Sequence, residues 1–368
     1  MKIAYLSTFY PYRGGIAQFN AALFRAFERL GNEVRAFNFT RQYPDFIFPG
    51  STQFVTEKDY ADKIPNLRVL DTVNPVSYIK TAKKIKEFSP ELVVSKFWLP
   101  FFGPSLGKVL KSTKRYASNV SIIDNAIPHE KRPLDRVLSK YYFNQNHKFI
   151  TMSKSVNNDL LTLIPKAESY IHPHPLYNHF PKKIDKISAR KKLGLTNQDK
   201  VLLFFGFIRD YKGLDVLLES LVSMPDYKLI IAGEIYGDFK KYDDIIQKHN
   251  LEKQIVKMVR YIDDDEVPLL FSAADVAMLT YKSATQSGIL GIAYHYNLPV
   301  IATNTGGMKE MIEPYNTGIV IESANQKLIQ EACFKFFKSD DNYFAKIQDF
   351  KEIASWDNLA KFIIKKIK

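Results

Sequence analysis

The sequence predicts an α/β protein made of two doubly wound parallel sheets. Three observations carry this expectation. A chain of 368 residues is long for a single hydrophobic core. Short apolar runs of strand length alternate with amphipathic runs of helix length, the rhythm of parallel sheets covered by helices. That rhythm breaks at a stretch rich in Pro, His and Asn, "HPHPLYNHFPKKI" at 172–184, and then starts again.

The elements follow in order. Lys2 to Leu6 is a short apolar strand, Gly15 to Leu30 has helical spacing, and Glu33 to Phe39 reads as a strand. Leu92 to Ser95 and Lys148 to Met152 are further strands, with helical runs near 76–88, 104–115 and 133–145. After the break, strands are expected at Val201–Phe205, Tyr227–Ala232, Val256–Val259, Val276–Leu279 and Pro299–Ala302. Helices are expected at Gly213–Val222, Tyr242–His249, Asp265–Ala273 and Gly288–Tyr296. The tail "SWDNLAKFIIKKIK" is an amphipathic helix. It either packs on the body of the protein or lays its basic end on a membrane surface. The expected domains are 1–180 and 181–354, with the helix of about 355–368 returning to the first.

Composition narrows the class. The hydrophobic fraction of 46% is that of a globular protein, and no apolar run approaches the length of a membrane span. Nothing near Met1 resembles a secretory leader. The single cysteine, Cys333, allows neither an internal disulfide nor a thiolate zinc site, and reads as core. Residues 1–180 hold 25 Lys+Arg and 14 Asp+Glu, against 27 and 25 in 181–368. The first half therefore carries the positive excess, densest at Lys80, Lys83, Lys84, Lys86 and at Lys108, Lys111, Lys114, Arg115. Such clusters suit a phosphate-rich partner, or are an ordinary solvated surface.

Ligands of doubly wound sheets sit on the loops that follow the strands. In "GFIRDYKGLDVLLES", 206–220, a strand end is followed by Gly206 and two cations, Arg209 and Lys212, before a helix. This arrangement suits an anion such as a diphosphate: Arg offers a planar fork, Lys a point charge, and the helix its N-terminal dipole. Two solvated cations on a surface loop is the alternative. Gly14 and Gly15 open a helix after the first strand, without the spacing of a dinucleotide fingerprint. Thr285, Gln286, Ser287 and Gly288 place hydroxyls, an amide and bare backbone at another helix start. Gly306 and Gly307 follow the next strand.

These segments resemble the retaining GT-B glycosyltransferases of family four, the group 1 glycosyl transferases. Gly206, Arg209, Lys212 and Gly213 look like that family's G-x-x-x-x-x-K-G donor loop. "AGE" at 232–234, "YIDDDEVPLLFSAADVAMLTY" at 261–281 and "NLPVIATNTGGMKEMI" at 297–312 look like its later motifs, in the same order. The resemblance implies two Rossmann-like domains facing across a cleft, the second holding the nucleotide-sugar donor and the first the acceptor. It implies that Arg209 and Lys212 neutralise the departing diphosphate. Gly206, Glu234, Thr285, Gln286, Ser287, Gly288 and Glu310 would line the donor site, Tyr261 and Ile262 would read the base, and Gly14 and Gly15 would lie across the cleft. "IDNAIPHEKRPLD", 123–135, resembles a family stretch in which Asp124 replaces a histidine and His129 remains, both candidates for orienting the acceptor.

The departures are specific. The two glutamates usual in the family, eight residues apart, fall on Ala284 and Ile292, so "TQSG" stands in an unusual setting. Asp263, Asp264 and Asp265 mimic a D-x-D metal motif but read as an acidic helix start, and no metal or other cofactor is expected. His172, His174 and Tyr177 lie in the break, with too few ligands for a metal. The implied activity is a hexosyltransferase-type reaction. A sugar moves with retention from a UDP- or GDP-linked donor to a glycan or lipid-pyrophosphate acceptor, as in surface polysaccharide biosynthesis. A cytoplasmic protein, peripheral on an anionic inner membrane face, is the matching expectation, with no nucleic-acid partner. A GT-B nucleotide-sugar epimerase and a non-catalytic nucleotide- or carbohydrate-binding protein are the alternatives.

Overall fold

The computed structural model describes residues 1–44, 52–55, 61–128, 133–176, 180–235, 237–283 and 287–367. The chain forms two compact units, Met1–Pro175 with Ala354–Lys368, and Leu176–Ile353.

The first unit is a seven-stranded sheet, all of whose pairings are parallel. Its elements are β1 (Lys2–Leu6), α1 (Gly15–Arg29), β2 (Glu33–Arg41), β3 (Asn66–Asp71), α2 (Pro75–Phe88), β4 (Leu92–Phe97), α3 (Gly103–Thr113), β5 (Ser118–Ile123), α4 (Asp135–Phe143), β6 (Lys148–Thr151), α5 (Lys154–Leu163) and β7 (Glu168–Ile171). Spatial order is β3-β2-β1-β4-β5-β6-β7. Central strands are covered on both faces, so β4, "LVVSKF", is buried at every position. Right-handed crossovers put α1 on one face and α2, α3 and α4 side by side on the other. The last helix, α14 (Trp356–Ile367), buries Trp356, Leu359, Ala360 and Ile363, one helical stripe, against α1. There the Trp356 and Phe19 rings meet edge to face at 4.9 Å, and Arg29 reaches Asp357 at 2.5 Å.

The second unit repeats the plan. It comprises α6 (Lys186–Lys192), β8 (Lys200–Phe205), α7 (Leu214–Leu221), β9 (Tyr227–Ala232), α8 (Lys240–Lys248), β10 (Ile255–Met258), α9 (Val267–Ala273), β11 (Val276–Leu279), α10 (Gly288–His295), β12 (Val300–Thr303), α11 (Met308–Ile312), β13 (Gly318–Ile321), α12 (Gln326–Lys338) and α13 (Tyr343–Ile353). Its six strands run parallel in the order β10-β9-β8-β11-β12-β13. Cys333 lies in this core, its thiol pushed up to about 12 by burial.

The structure adds strands β3, β5, β7 and β13 and helices α5, α6, α11, α12 and α13 to those expected from sequence. Of these, β3, β7 and β13 are sheet edges that each bury at most one residue fully, while β5 is central and buried but reads "SNVSII", its apolar positions interrupted by Ser and Asn. All four therefore lack the unbroken apolar run that marks a central strand. In each sheet the chain reverses its direction of travel at one place, between β1 and β4 and between β8 and β11. Loops at such a reversal open a crevice beyond the strand ends.

Candidate functional site

The β8/β11 reversal brings together the loop after β8 and the loop after β11. The first is held by contacts that only glycine permits. Gly213 has φ +70°, and a Cβ there would stand 2.1 Å from the Thr280 carbonyl oxygen. Gly233, after β9, has φ +146°, and its Cβ would stand 2.1 Å from the Gly206 carbonyl oxygen. The Thr280 hydroxyl donates to the Lys212 and Gly213 carbonyls at 3.1 and 3.3 Å. On the outer side Lys282 pairs with Asp215 at 2.7 Å and Lys241 pairs with Asp210.

This scaffold turns Lys212 inward. The residue is 7% exposed. Its Nζ lies near Gly206 and the start of α10: a Cβ on Gly206 would be 3.2 Å from that nitrogen and 3.0 Å from Ile289 Cδ1. Among the described residues no carboxylate or hydrogen-bond acceptor pairs with it, and its ammonium faces the Tyr281 ring at 5.7 Å. Burial, with the Arg209 charge adding to it, pulls the Lys212 pKa down to about 8. A buried cation without a counter-ion is costly, and an arriving anion removes that cost.

Helix α10 is likewise open at its start. Ser287 occupies the N-cap position, but its side chain caps no backbone amide. Its hydroxyl instead shares a hydrogen bond of 3.1 Å with Tyr281, whose pKa burial pushes up to about 12. The first-turn amides and the dipole of α10 therefore receive no side-chain cap from Ser287 beside Lys212. Thr303, at the end of β12, donates to the Tyr281 carbonyl at 2.6 Å and fixes this loop from the other side.

Gly206, Arg209, Lys212, Ser287 and Gly288 thus stand on the two loops of one strand-end crevice. Glu234 follows β9, where its carbonyl accepts from Ile208 N–H at 2.8 Å. Glu310 lies on α11, beyond β12. Beyond β10, Tyr261 is exposed and Ile262 buried. His129, Thr285 and Gln286 lie outside the described residues, as do Ala284 and Tyr177. Glu266, beside the three aspartates, forms a two-oxygen pair with Arg260 at 2.5 and 2.7 Å. Among the described residues no group of three or more His, Cys, Asp or Glu is placed to hold a metal.

In the first unit, the β1/β4 reversal presents the Gly14–Gly15 turn and an ion pair. Gly14 is the N-cap of α1, which has no side-chain cap, and a cavity of about 190 Å³ opens beside it, lined in part by Tyr10, Tyr12 and Arg13. Asp124, just past β5, binds Lys96 Nζ at 2.6 Å. Lys96 is buried, and its ammonium sits 3.4 Å from the centre of the Phe19 ring. Burial pushes the Lys96 pKa down while Asp124 holds it up. His174 packs its ring on Phe19 at 5.4 Å, and burial with the Lys96 charge lowers its pKa. His172 instead packs on Phe362 of α14 at 5.1 Å, so the two histidines serve the seam with α14. Lys96 was missed from sequence, although a cation inside an otherwise apolar strand is a visible signal.

Comparison with known proteins bears on the fold and on the second unit. Residues 185–354 match the family model of glycosyl transferases group 1. An uncharacterized glycosyltransferase of Methanocaldococcus jannaschii is 26% identical over 58% of this chain and 57% of its own length. The lipopolysaccharide core biosynthesis mannosyltransferase LpsB of Rhizobium meliloti is 24% identical over 43% and 47%. The chain thus spans about half the length of these two curated relatives. Among solved structures, the lipopolysaccharide outer core galactosyltransferase WaaB matches with a TM-score of 0.69 at 15% identity, covering all of both chains. An Anabaena protein, HepE, solved in complex with UDP, matches at 0.67 and 14%, covering 100% of this chain and 99% of its own. Residues 185–354, nearly the whole second unit, thus carry the group 1 glycosyl transferase signature, on a chain with the fold of the GT-B glycosyltransferases.

Proposed function

We propose that this chain transfers a sugar, with retention, from a nucleoside-diphosphate sugar to a glycan or lipid-linked acceptor, as in surface polysaccharide assembly. The observation that carries the proposal is Lys212: a buried ammonium with no counter-ion among the described residues, beside the start of α10, whose N-cap Ser287 makes no side-chain cap, at a sheet reversal. In this reading the donor diphosphate supplies the missing anion. Arg209 and Lys212 stabilise the charge that grows on it as the glycosidic bond breaks, and the α10 amides with Ser287 and Gly288 bind the same oxygens. Thr285 and Gln286 complete the cradle, Gly206 and Glu234 border it, Tyr261 and Ile262 receive the base, and Glu310 faces the sugar. Asp124, held by Lys96, and His129 serve the acceptor, and the Gly14–Gly15 turn lies near both the donor phosphate and the acceptor. The Anabaena neighbour's complexes with UDP and with UDP-glucose support a UDP-type donor.

Ile292, where the resemblance noted above implies a glutamate, favours a second reading: a protein that binds nucleotide or carbohydrate without turnover. One experiment separates the two. Thermal unfolding is followed with UDP, GDP, ADP and CMP, alongside hydrolysis of the matching nucleotide-sugars. A transferase is stabilised by one diphosphate, slowly hydrolyses its sugar form, and loses both properties in Arg209→Ala and Lys212→Ala. Stabilisation without hydrolysis supports the binding protein, and no response to any nucleotide removes both.

A further inference from the structure

The helical layer formed by α2, α3 and α4 is the least balanced surface of the first unit. Those three helices carry eight cations against two carboxylates, Glu87 and Asp135. Glu87 is already engaged by Lys84 at 2.7 Å. The same layer bears exposed aliphatic side chains. Val76 is 71% exposed, Ile79 66%, Leu134 65% and Val137 63%, the four most exposed aliphatic residues among those described. Single exposed hydrophobics are ordinary, but their concentration on one charged face is not.

Their placement is ordered. Helices that connect parallel strands run back against them, so α2, α3 and α4 begin at the sheet end where the strands finish. Val76 and Ile79 lie in the first turns of α2, with Val73 just before it, while Leu134 and Val137 open α4. Lys80, Lys83 and Lys86 follow down α2, and Lys108 and Lys111 down α3. An apolar rim thus stands at the strand-end side of the unit, with a basic band behind it. This order matches a bilayer surface, where aliphatic groups reach the acyl boundary and lysines meet the phosphates.

We propose that the outer face of α2–α4 docks on an anionic phospholipid membrane, with Val76, Ile79, Leu134 and Val137 entering the interface and the lysines bound to headgroups. The docking gives the acceptor reading above a lipid surface, yet it needs no catalytic turnover and is tested apart from it. The intact protein is floated with vesicles of phosphatidylcholine alone and of phosphatidylcholine with phosphatidylglycerol. It floats with the anionic vesicles only. The triple variant Lys80→Gln, Lys83→Gln, Lys86→Gln loses on the order of a hundredfold in partition, since each surface lysine is worth about fivefold. Val76→Ser with Ile79→Ser, at unchanged charge, loses at least tenfold, and what binding remains is released by salt that the wild type withstands. Both variants change only exposed positions, and unaltered thermal unfolding checks that they fold. Absence of wild-type flotation, or flotation indifferent to both variants, overturns the proposal. So does a dimer in lipid-free solution that the serine variant dissolves, which assigns the face to a second copy of the chain. Nucleotide-sugar hydrolysis in the same samples is unchanged by either variant, and its failure in the wild type sinks the transferase reading while leaving the vesicle result intact.

Discussion

Replacing Lys212 by Met should make the empty protein more stable while destroying its response to nucleotide. Lys212 titrates near 8 in the folded chain against an ordinary 10.5. Because its folded pKa is depressed, the unfolded chain holds the proton more tightly than the native one. Folding therefore carries a penalty that is fully present below pH 8 and fades as pH rises towards 10.5. The displacement corresponds to roughly 3 kcal/mol at pH 7. Methionine keeps the stem and removes the charge, so the second unit gains up to about 3 kcal/mol. At about 2–4 °C per kcal/mol for a unit of this size, its melting point rises several degrees. The gain shrinks to nothing near pH 10.5. A diphosphate at a hundred times its dissociation constant stabilises the wild type by about 2.7 kcal/mol and leaves the variant unmoved. Calorimetry at pH 7 and pH 10, with and without UDP, tests both signs. A variant that melts at or below the wild type at pH 7, or that keeps the UDP shift, refutes the argument that this ammonium lacks a counter-ion.

Other expectations follow from the same geometry. Diphosphate affinity should fall as pH rises above about 8, because the free protein then loses the Lys212 proton that the bound anion would retain; isothermal titration across pH 7–10 reads this directly. Gly213→Ala and Gly233→Ala each drive a Cβ to 2.1 Å from a carbonyl oxygen. Both should lower urea-unfolding stability by several kcal/mol and abolish nucleotide binding. Asp124→Asn strands the buried Lys96 ammonium and should cost about 3–5 kcal/mol, while the double variant with Lys96→Met costs less than the sum of the two, a coupling that a double-mutant cycle measures. Tyr281→Phe removes the Ser287 partner for at most about 1 kcal/mol of stability, yet weakens the diphosphate response, which a thermal-shift titration resolves.

What could be read from sequence follows unbroken apolar runs, and the buried strand β5, "SNVSII", escaped because Ser and Asn interrupt it. Central strands such as "VLLFF" and "VAML" are apolar on both faces, and the loops after them are where ligands of such sheets bind, so Gly206, Arg209, Lys212, Ser287 and Gly288 were singled out as candidates by position and type. The edge strands β3 and β7 were invisible because one side of each meets water. Asn74, Ser153, Asp185 and Asn325 cap α2, α5, α6 and α12, and those small polar residues were helix-start signals left unread. Lys96 was passed over, the expected strand ending at Ser95, because its partner Asp124 is distant in sequence and close only in the fold. That Lys212 is buried, with no counter-ion among the described residues, depends on the Thr280 and Gly233 contacts, which no local pattern announces.

The interruption of the first unit by the second bears on how the chain is made. A ribosome completes β1 to β7 and then the entire second unit before α14 emerges. Until that moment Phe19 lacks Trp356 and Arg29 lacks Asp357, so the first sheet waits with an uncovered greasy flank. Nascent chains stalled between residues 175 and 353 should therefore recruit chaperones through α1, and release should coincide with the docking of α14 once it has left the ribosome. In this architecture the amino-terminal half of the protein is the last to be finished.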